Sequence, residues 1–134
     1  MSDNIGFEIV LNKSYDQAFA QLSEALKAEG FGILTQIDVQ KVLKEKIGAD
    51  FRRYSILGVC NPNLAHRALS LDAQAGLMLP CGATIETDDD LQTTIRIGDP
   101  LVRLEAAKFG SEMIMVGEEA REKLLKVANA LKNQ

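Results

Sequence analysis

Two runs of alternating residues in the second half of the chain constrain its fold most strongly. Residues 81–87 place Cys81 and Ile85 on an apolar side opposite polar neighbours, and residues 91–97 repeat the alternation. A period of two residues is typical of a half-buried β-strand. Three consecutive aspartates, residues 88–90, separate the runs and favour a turn. The pattern therefore predicts an antiparallel β-hairpin.

Helices are predicted on both sides of this hairpin. Ser14 and Gln17 have the spacing of a capping box, and Gly30 suits the left-handed end of a helix, so a helix is expected over 14–29. Apolar residues at helical spacing predict a last helix over about 112–132. Further strands are expected at 7–11, 31–37 and 52–60, and short helices at 38–47 and 62–72. The helix over 38–47 is expected to turn four apolar residues inward, namely Val39, Val42, Leu43 and Ile47. In the helix over 62–72, one apolar face is expected to hold Leu64, Ala65, Ala68, Leu69 and Leu71. Residues 101–109 fit either a helix or an irregular segment.

This order of elements predicts an α+β fold. Strands separated by helices precede the hairpin, and a helix follows it, which favours one sheet with helices covering one face. The chain has 134 residues, of which 46% are hydrophobic and 25% charged. These values are ordinary for a single globular domain, so residues 1–134 are expected to form one domain.

The overall charge argues against polyanionic partners. The net charge is −4 and the isoelectric point about 5.0, whereas nucleic acids and anionic membranes require a basic surface. The N-terminus lacks a basic segment followed by an apolar run, and no long apolar stretch is present. We therefore expect a cytoplasmic protein that binds neither nucleic acid nor membrane.

Residues with distinctive chemistry gather between Gly58 and Gly82. This stretch holds both cysteines, the only histidine and two of the three prolines. Cys60 is expected at the end of a strand and Cys81 at the start of another, both on the core side, so their sulfurs could lie close together. His66 is expected on the outer side of the helix over 62–72. Any functional site is therefore expected within this stretch.

Three interpretations of these residues stay open. Cys60, Cys81 and His66 could bind Cu(I) or Zn²⁺, although a closed zinc site needs four such ligands. Alternatively, Cys60 could be a reactive or redox-active thiol, because a helix start and Arg53 or Arg67 would lower its pKa. The third interpretation is structural, with both cysteines acting as small buried apolar side chains.

A small-molecule pocket is a further possibility. It would lie beside Cys60, Asn61 and Pro62, facing the bend at Pro80 and Cys81. The Asn61 side chain and the N–H groups at the helix start would receive an anionic or carbonyl-bearing ligand. The leading hypothesis is a non-enzymatic binding module whose cofactor is unknown and whose ligand-binding residues are Cys60, Asn61, Pro62 and Cys81. The alternative is a thiol-dependent redox protein or a protein that binds Cu or Zn through Cys60 and Cys81.

Two linked motifs also resemble a known family. The run Val-Cys-Asn-Pro-x-Leu-Ala-x-x-Ala-Leu over 59–69 and the run Gly-Leu-Met-Leu-Pro-Cys over 76–81 are similar to the domain-of-unknown-function 302 family. The resemblance covers about residues 33–100 in sequence pattern and the whole chain in the order of its helices and strands. It implies a curved antiparallel sheet backed by helices, similar to the TATA-box-binding-protein-like arrangement, and a homodimer. It implies no activity, and a shared fold does not import DNA binding.

Overall fold

The computed structural model describes residues 5–133 and contains one five-stranded sheet with helices. The strands are β1 (Gly6–Leu11), β2 (Gly32–Asp38), β3 (Arg53–Cys60), β4 (Cys81–Thr87) and β5 (Thr93–Gly98). The helices are α1 (Tyr15–Ala28), α2 (Val39–Ile47), α3 (Pro62–Leu71), α4 (Pro100–Ala106) and α5 (Ser111–Lys132), and a 3₁₀-helix spans Ala73–Met78. Within this range no helix is long and apolar enough to cross a membrane.

Local capping chemistry sets the helix boundaries where the sequence predicted them. Ser14 and Gln17 form the expected capping box at the start of α1. Gly30 and Gly48 follow α1 and α2 with φ angles of +82° and +68°, a region in which side chains are strained and glycine is not. Asn61 caps α3, and Pro62 occupies its first turn.

The sheet order is β1-β5-β4-β3-β2, and every neighbouring pair is antiparallel. The first two strands of the chain therefore lie at opposite edges, joined by α1. The β4–β5 hairpin forms as predicted, although β5 begins at Thr93 because Leu91 lies in the turn and is 73% exposed. The α+β fold, with an open antiparallel sheet backed by helices, is confirmed.

One face of the sheet carries the apolar core. Leu57, Ile85 and Ile95 of the three central strands are at most 1% exposed, and they share a buried cluster with α1 and α5. The apolar residues whose helical spacing predicted α5 are buried, namely Val116, Ala120, Leu124, Val127 and Leu131. Burial of these side chains supplies the main driving force for folding.

The burial predicted for α2, and for part of α3, was wrong. No residue of α2 is buried, and Ile47 is 72% exposed. This helix packs mainly against β3, away from α1 and α5, so its apolar side is not covered within the chain. In α3, Leu64 and Ala68 are buried as expected, but Leu69 and Leu71 remain exposed. Most of the undecided segment 101–109 belongs to α4, which begins one residue earlier at Pro100 and ends at Ala106.

Candidate functional site

A cavity of about 620 Å³ opens at the end of the sheet where β3 finishes and β4 begins. Its wall combines strands β1, β3, β4 and β5 with α3, α4 and α5. Most of the wall is apolar, including Leu64, Leu104 and Met113. The predicted site residues Cys60, Asn61 and Cys81 lie in the wall, whereas Pro62 and His66 are not part of it.

A row of glycines crosses the sheet at this end. Gly6 pairs with Gly98, and Gly58 pairs with Gly82. Ala83 pairs with Ile97, so the antiparallel register sets Gly82 beside Gly98 and completes a row across four strands. A Cβ atom on Gly82 would meet nothing within 4 Å. The sheet therefore presents bare backbone to the cavity at this point.

Asn61 does not offer its side chain to a ligand. Its Oδ1 accepts a hydrogen bond from the Leu64 N–H at 3.2 Å, and its Nδ2 donates to the Glu29 carbonyl at 3.3 Å. Asn61 is also buried. The prediction that Asn61 would receive an anionic or carbonyl group was wrong, because both ends of its amide already hold the start of α3 against the end of α1.

The two cysteines do not share a sheet face. Cys81 is directly opposite Val59 in the β3–β4 register, on the face covered by helices. Cys60 is one residue further along β3 and points to the other face, because side chains alternate along a strand. The expected placement of Cys60 on the core side was therefore wrong. Both thiols are free, half-buried and part of the cavity wall.

The expected activation of Cys60 is not found. Burial raises the pKa of Cys60, and it raises the pKa of Cys81 with a further contribution from negative charge on Cys60, against a lowering by Arg103. The two arginines that were expected to lower the pKa of Cys60 form ion pairs with other residues. Arg53 pairs with Asp16 at 3.2 Å and lies over the Tyr15 ring, and Arg67 pairs with Glu119 at 2.8 Å.

The proposed three-ligand metal set does not assemble. His66 is exposed on the outer side of α3, as its position on the helix predicted, and does not line the cavity that holds Cys60 and Cys81. Across residues 5–133, no group of three His, Cys, Asp or Glu side chains is arranged to hold a metal ion. A cavity site with two sulfur ligands falls short of the usual zinc coordination.

Both thiols are expected to alkylate more slowly than a free cysteine at pH 7. The thiolate is the reacting species, and a raised pKa lowers its fraction at neutral pH. The alkylation rate of both thiols should therefore rise at higher pH values than the rate of free cysteine does. Mass spectrometry after iodoacetamide treatment, with the variants Cys60→Ser and Cys81→Ser to separate the sites, measures each rate. Rapid alkylation of Cys60 at pH 7 would restore the reactive-thiol hypothesis.

Apart from Asn61, sequence patterns did not identify the polar groups in the wall. Thr84 contributes a buried hydroxyl oxygen with no hydrogen-bond partner among the described residues. Four charged side chains also reach the wall from separate strands and helices, namely Glu8, Arg96, Asp99 and Arg103. Their sequence separation spans most of the chain, and no motif links them. Only the three-dimensional arrangement of the strands and helices brings them together.

The Arg96 side chain belongs to an ion-pair network on the open face of the sheet. It pairs with Glu8 at 2.9 Å and with Glu86, which also pairs with Arg52. Burial alone would raise the Glu86 pKa, but hydrogen bonds from Arg96 and Arg52 outweigh burial and lower it. The charges of Arg96, Glu8 and Glu86 are thus compensated within the protein.

Comparison with known proteins matches this fold to one family. The model of the family "Domain of unknown function DUF302" matches residues 7–131. The crystal structure of an uncharacterized conserved DUF302 protein from Bacillus stearothermophilus is 26% identical and has a TM-score of 0.85, covering 96% of this chain and 98% of that one. No curated protein is similar enough to count as a match. The family match spans nearly the whole chain and agrees with the two motifs around Cys60 and Cys81, so this chain belongs to the DUF302 family.

Proposed function

We propose that this protein is a cytoplasmic, non-enzymatic module that binds a small, largely apolar molecule in the cavity at the end of the sheet. The observation that carries the proposal is the cavity itself, about 620 Å³ with a mostly apolar wall. Ligand pockets typically measure roughly 300–1,000 Å³ and combine apolar walls with a few polar groups. Thr84 and Arg103 supply such groups here.

Packing elsewhere in the chain makes the cavity notable. Protein interiors are normally filled to the density of organic crystals, with few voids larger than a water molecule. Leu22, Ile85 and Leu124 of the neighbouring core are fully buried. The cavity is partly open at the surface, and a space of this size beside such a core offers room for a ligand.

A binding role has more support than thiol chemistry. The raised pKa values of Cys60 and Cys81 reduce their nucleophilicity at neutral pH, and both thiols are free. Free thiols agree with a reducing, cytoplasmic environment. We infer that the cysteines serve mainly as small apolar wall residues of the cavity.

Replacing Gly82 with Leu is expected to weaken binding of the neutral dye Nile red at least about tenfold. The new side chain would enter open space, since a Cβ at this position meets nothing within 4 Å, and it would occupy volume that a ligand needs. Fluorescence titration of the dye measures the effect.

Gly32→Leu provides the matched control. Gly32 also lies in a strand, its Cβ would also meet nothing within 4 Å, and it is not part of the cavity wall. This variant should bind the dye as the unmodified protein does. Equal binding by the Gly82→Leu and Gly32→Leu variants, or no binding of the dye to the unmodified protein, would count against a ligand site in this cavity.

We also propose that the protein forms a homodimer, as the family resemblance implies. Support comes from large apolar side chains left exposed on β2 and α2, including Leu34 at 66% and Ile47 at 72%. A second copy would remove these side chains from water. Analytical ultracentrifugation at micromolar concentration should give twice the 14.7 kDa mass of one chain.

Ile47→Glu should shift the dimer toward a single chain, because a charged side chain is costly to bury at an apolar interface. Leu77→Glu is the control, since Leu77 is also largely exposed, at 82%, but lies on the 3₁₀-helix. A mass of 14.7 kDa for the unmodified protein would contradict the dimer.

A further inference from the structure

We propose that the ligand of this cavity is a monocarboxylic acid whose apolar body fills the cavity and whose carboxylate pairs with Arg103. The inference rests on the proposed binding function and adds the chemical class of the ligand. It comes from comparing the charged side chains of the cavity wall that form ion pairs within residues 5–133 with Arg103, which forms none there.

Arg103 differs from the other arginines of the chain. Of the six in the sequence, five lie within 4.0 Å of a carboxylate oxygen among residues 5–133, and Arg103 does not. The paired arginines and their partners are Arg52 with Glu86, Arg53 with Asp16, Arg67 with Glu119, Arg96 with Glu8 and Glu86, and Arg121 with Asp99. The chain carries a net charge of −4, so acidic partners are plentiful. The absence of a carboxylate near Arg103 among residues 5–133 therefore does not reflect a shortage of acidic residues.

Each of the other charged side chains in the cavity wall forms an ion pair with a side chain of opposite charge. Glu8 and Arg96 pair with each other at 2.9 Å. Asp99 pairs with Arg121 at 2.9 Å through one oxygen and accepts the Leu101 N–H at 3.0 Å through the other. Among residues 5–133, Arg103 thus adds to a mostly apolar wall one positive charge that has no carboxylate within 4.0 Å. The positive charge of Arg103 also acts on the Cys81 thiol of the cavity wall, where it lowers the pKa.

A single guanidinium selects among anionic groups. Its planar fork matches a carboxylate with two parallel hydrogen bonds. A phosphate monoester carries a charge of about −1.5 to −2 at neutral pH and would need further cations. The cavity wall contains no lysine or histidine within the described part of the chain. One positive charge beside an apolar cavity therefore fits a singly charged carboxylate attached to an apolar body.

Calorimetric titration with decanoate and with decanol tests the proposal, because the two probes share an alkyl chain and differ in charge. Decanoate should bind the unmodified protein at least about tenfold more tightly, as a charge-assisted hydrogen bond predicts. Arg103→Gln should abolish this preference and leave decanol binding unchanged. Arg103→Lys should keep part of the preference for decanoate, since the positive charge remains but the planar guanidinium is lost.

Arg67→Gln is the matched control. Arg67 is also an exposed helical arginine, but it pairs with Glu119 and does not line the cavity. This variant should retain the full preference for decanoate. Equal affinity of both probes for the unmodified protein, or an Arg103→Gln variant that still prefers decanoate, would overturn the carboxylate inference and leave the binding function intact.

Two further outcomes are informative. Tighter binding of decyl phosphate than of decanoate would overturn the carboxylate class. If neither alkyl probe binds and Nile red also fails to bind, the proposed binding function fails and the carboxylate inference fails with it. Because decanol and Nile red are neutral, their binding reports on the cavity independently of Arg103.

Discussion

Substituting Val for Gly58 is expected to lower the free energy of unfolding by about 1–3 kcal/mol, the usual effect of overpacking a filled position. A Cβ atom at Gly58 would overlap the Thr35 hydroxyl of β2 and would lie 2.7 Å from Cγ of Pro80. The proline ring cannot rotate out of the way. Pro80 and the end of β3 would have to separate, at the point where β3 leads into Cys60. Urea denaturation at 25 °C measures the change.

Gly82→Val is the matched control for this prediction. Gly82 is directly opposite Gly58 in the β3–β4 register, and a Cβ there would meet nothing within 4 Å. Both variants exchange the same residue types in neighbouring strands, so their difference isolates the contacts with Thr35 and Pro80. Equal stability of the two variants would show that Pro80 moves freely and that Gly58 is not required for close packing.

Leu124→Ala is expected to lower the free energy of unfolding by about 2–5 kcal/mol, the range measured for buried leucines replaced by alanine. The Leu124 side chain is fully buried in the cluster between α5, α1 and the sheet. It does not line the ligand cavity, so the substitution leaves a new void in the packed part of the core. Thermal and urea denaturation should both report the loss.

Met115→Ala controls for the change of residue type within the same helix. Met115 lies in α5 but is largely exposed, so its replacement should change the free energy of unfolding by no more than about 0.5 kcal/mol. A similar loss in the two variants would mean that α5 contributes to stability through its helical backbone and not through the burial of Leu124.

Secondary structure followed from the sequence where short-range chemistry sets it. The Ser14 capping box, Gly30, Gly48 and the Asn61-Pro62 pair define helix ends through contacts within a few residues. The hairpin of β4 and β5 followed from alternation along each strand. The motifs around Cys60 and Cys81 identified the family, which the match over residues 7–131 confirms.

The ligand site predicted around Cys60 and Cys81 stays a prediction, although the structure brings several of its residues to one cavity. Three of its four predicted ligand-binding residues, Cys60, Asn61 and Cys81, line one cavity. Asn61 uses its amide within the protein, which depends on Glu29, a residue 32 positions earlier. Arg103, the residue that carries the ligand hypothesis, has no local pattern that marks it. Its importance depends on which other arginines find carboxylates, and those pairs join distant parts of the chain.

The α+β class and most of the helices and strands depend on hydrogen bonds and side-chain periods within single segments, so the sequence alone predicted them. The start of β5 and the sheet face of Cys60 were exceptions. The uncovered side of α2, the opposite faces of Cys60 and Cys81, and the cavity depend on which segments pack together. An apolar side of a helix such as α2 indicates a need for burial without naming the partner. Strand order and register decided those features, because they determine which surfaces meet and which remain open.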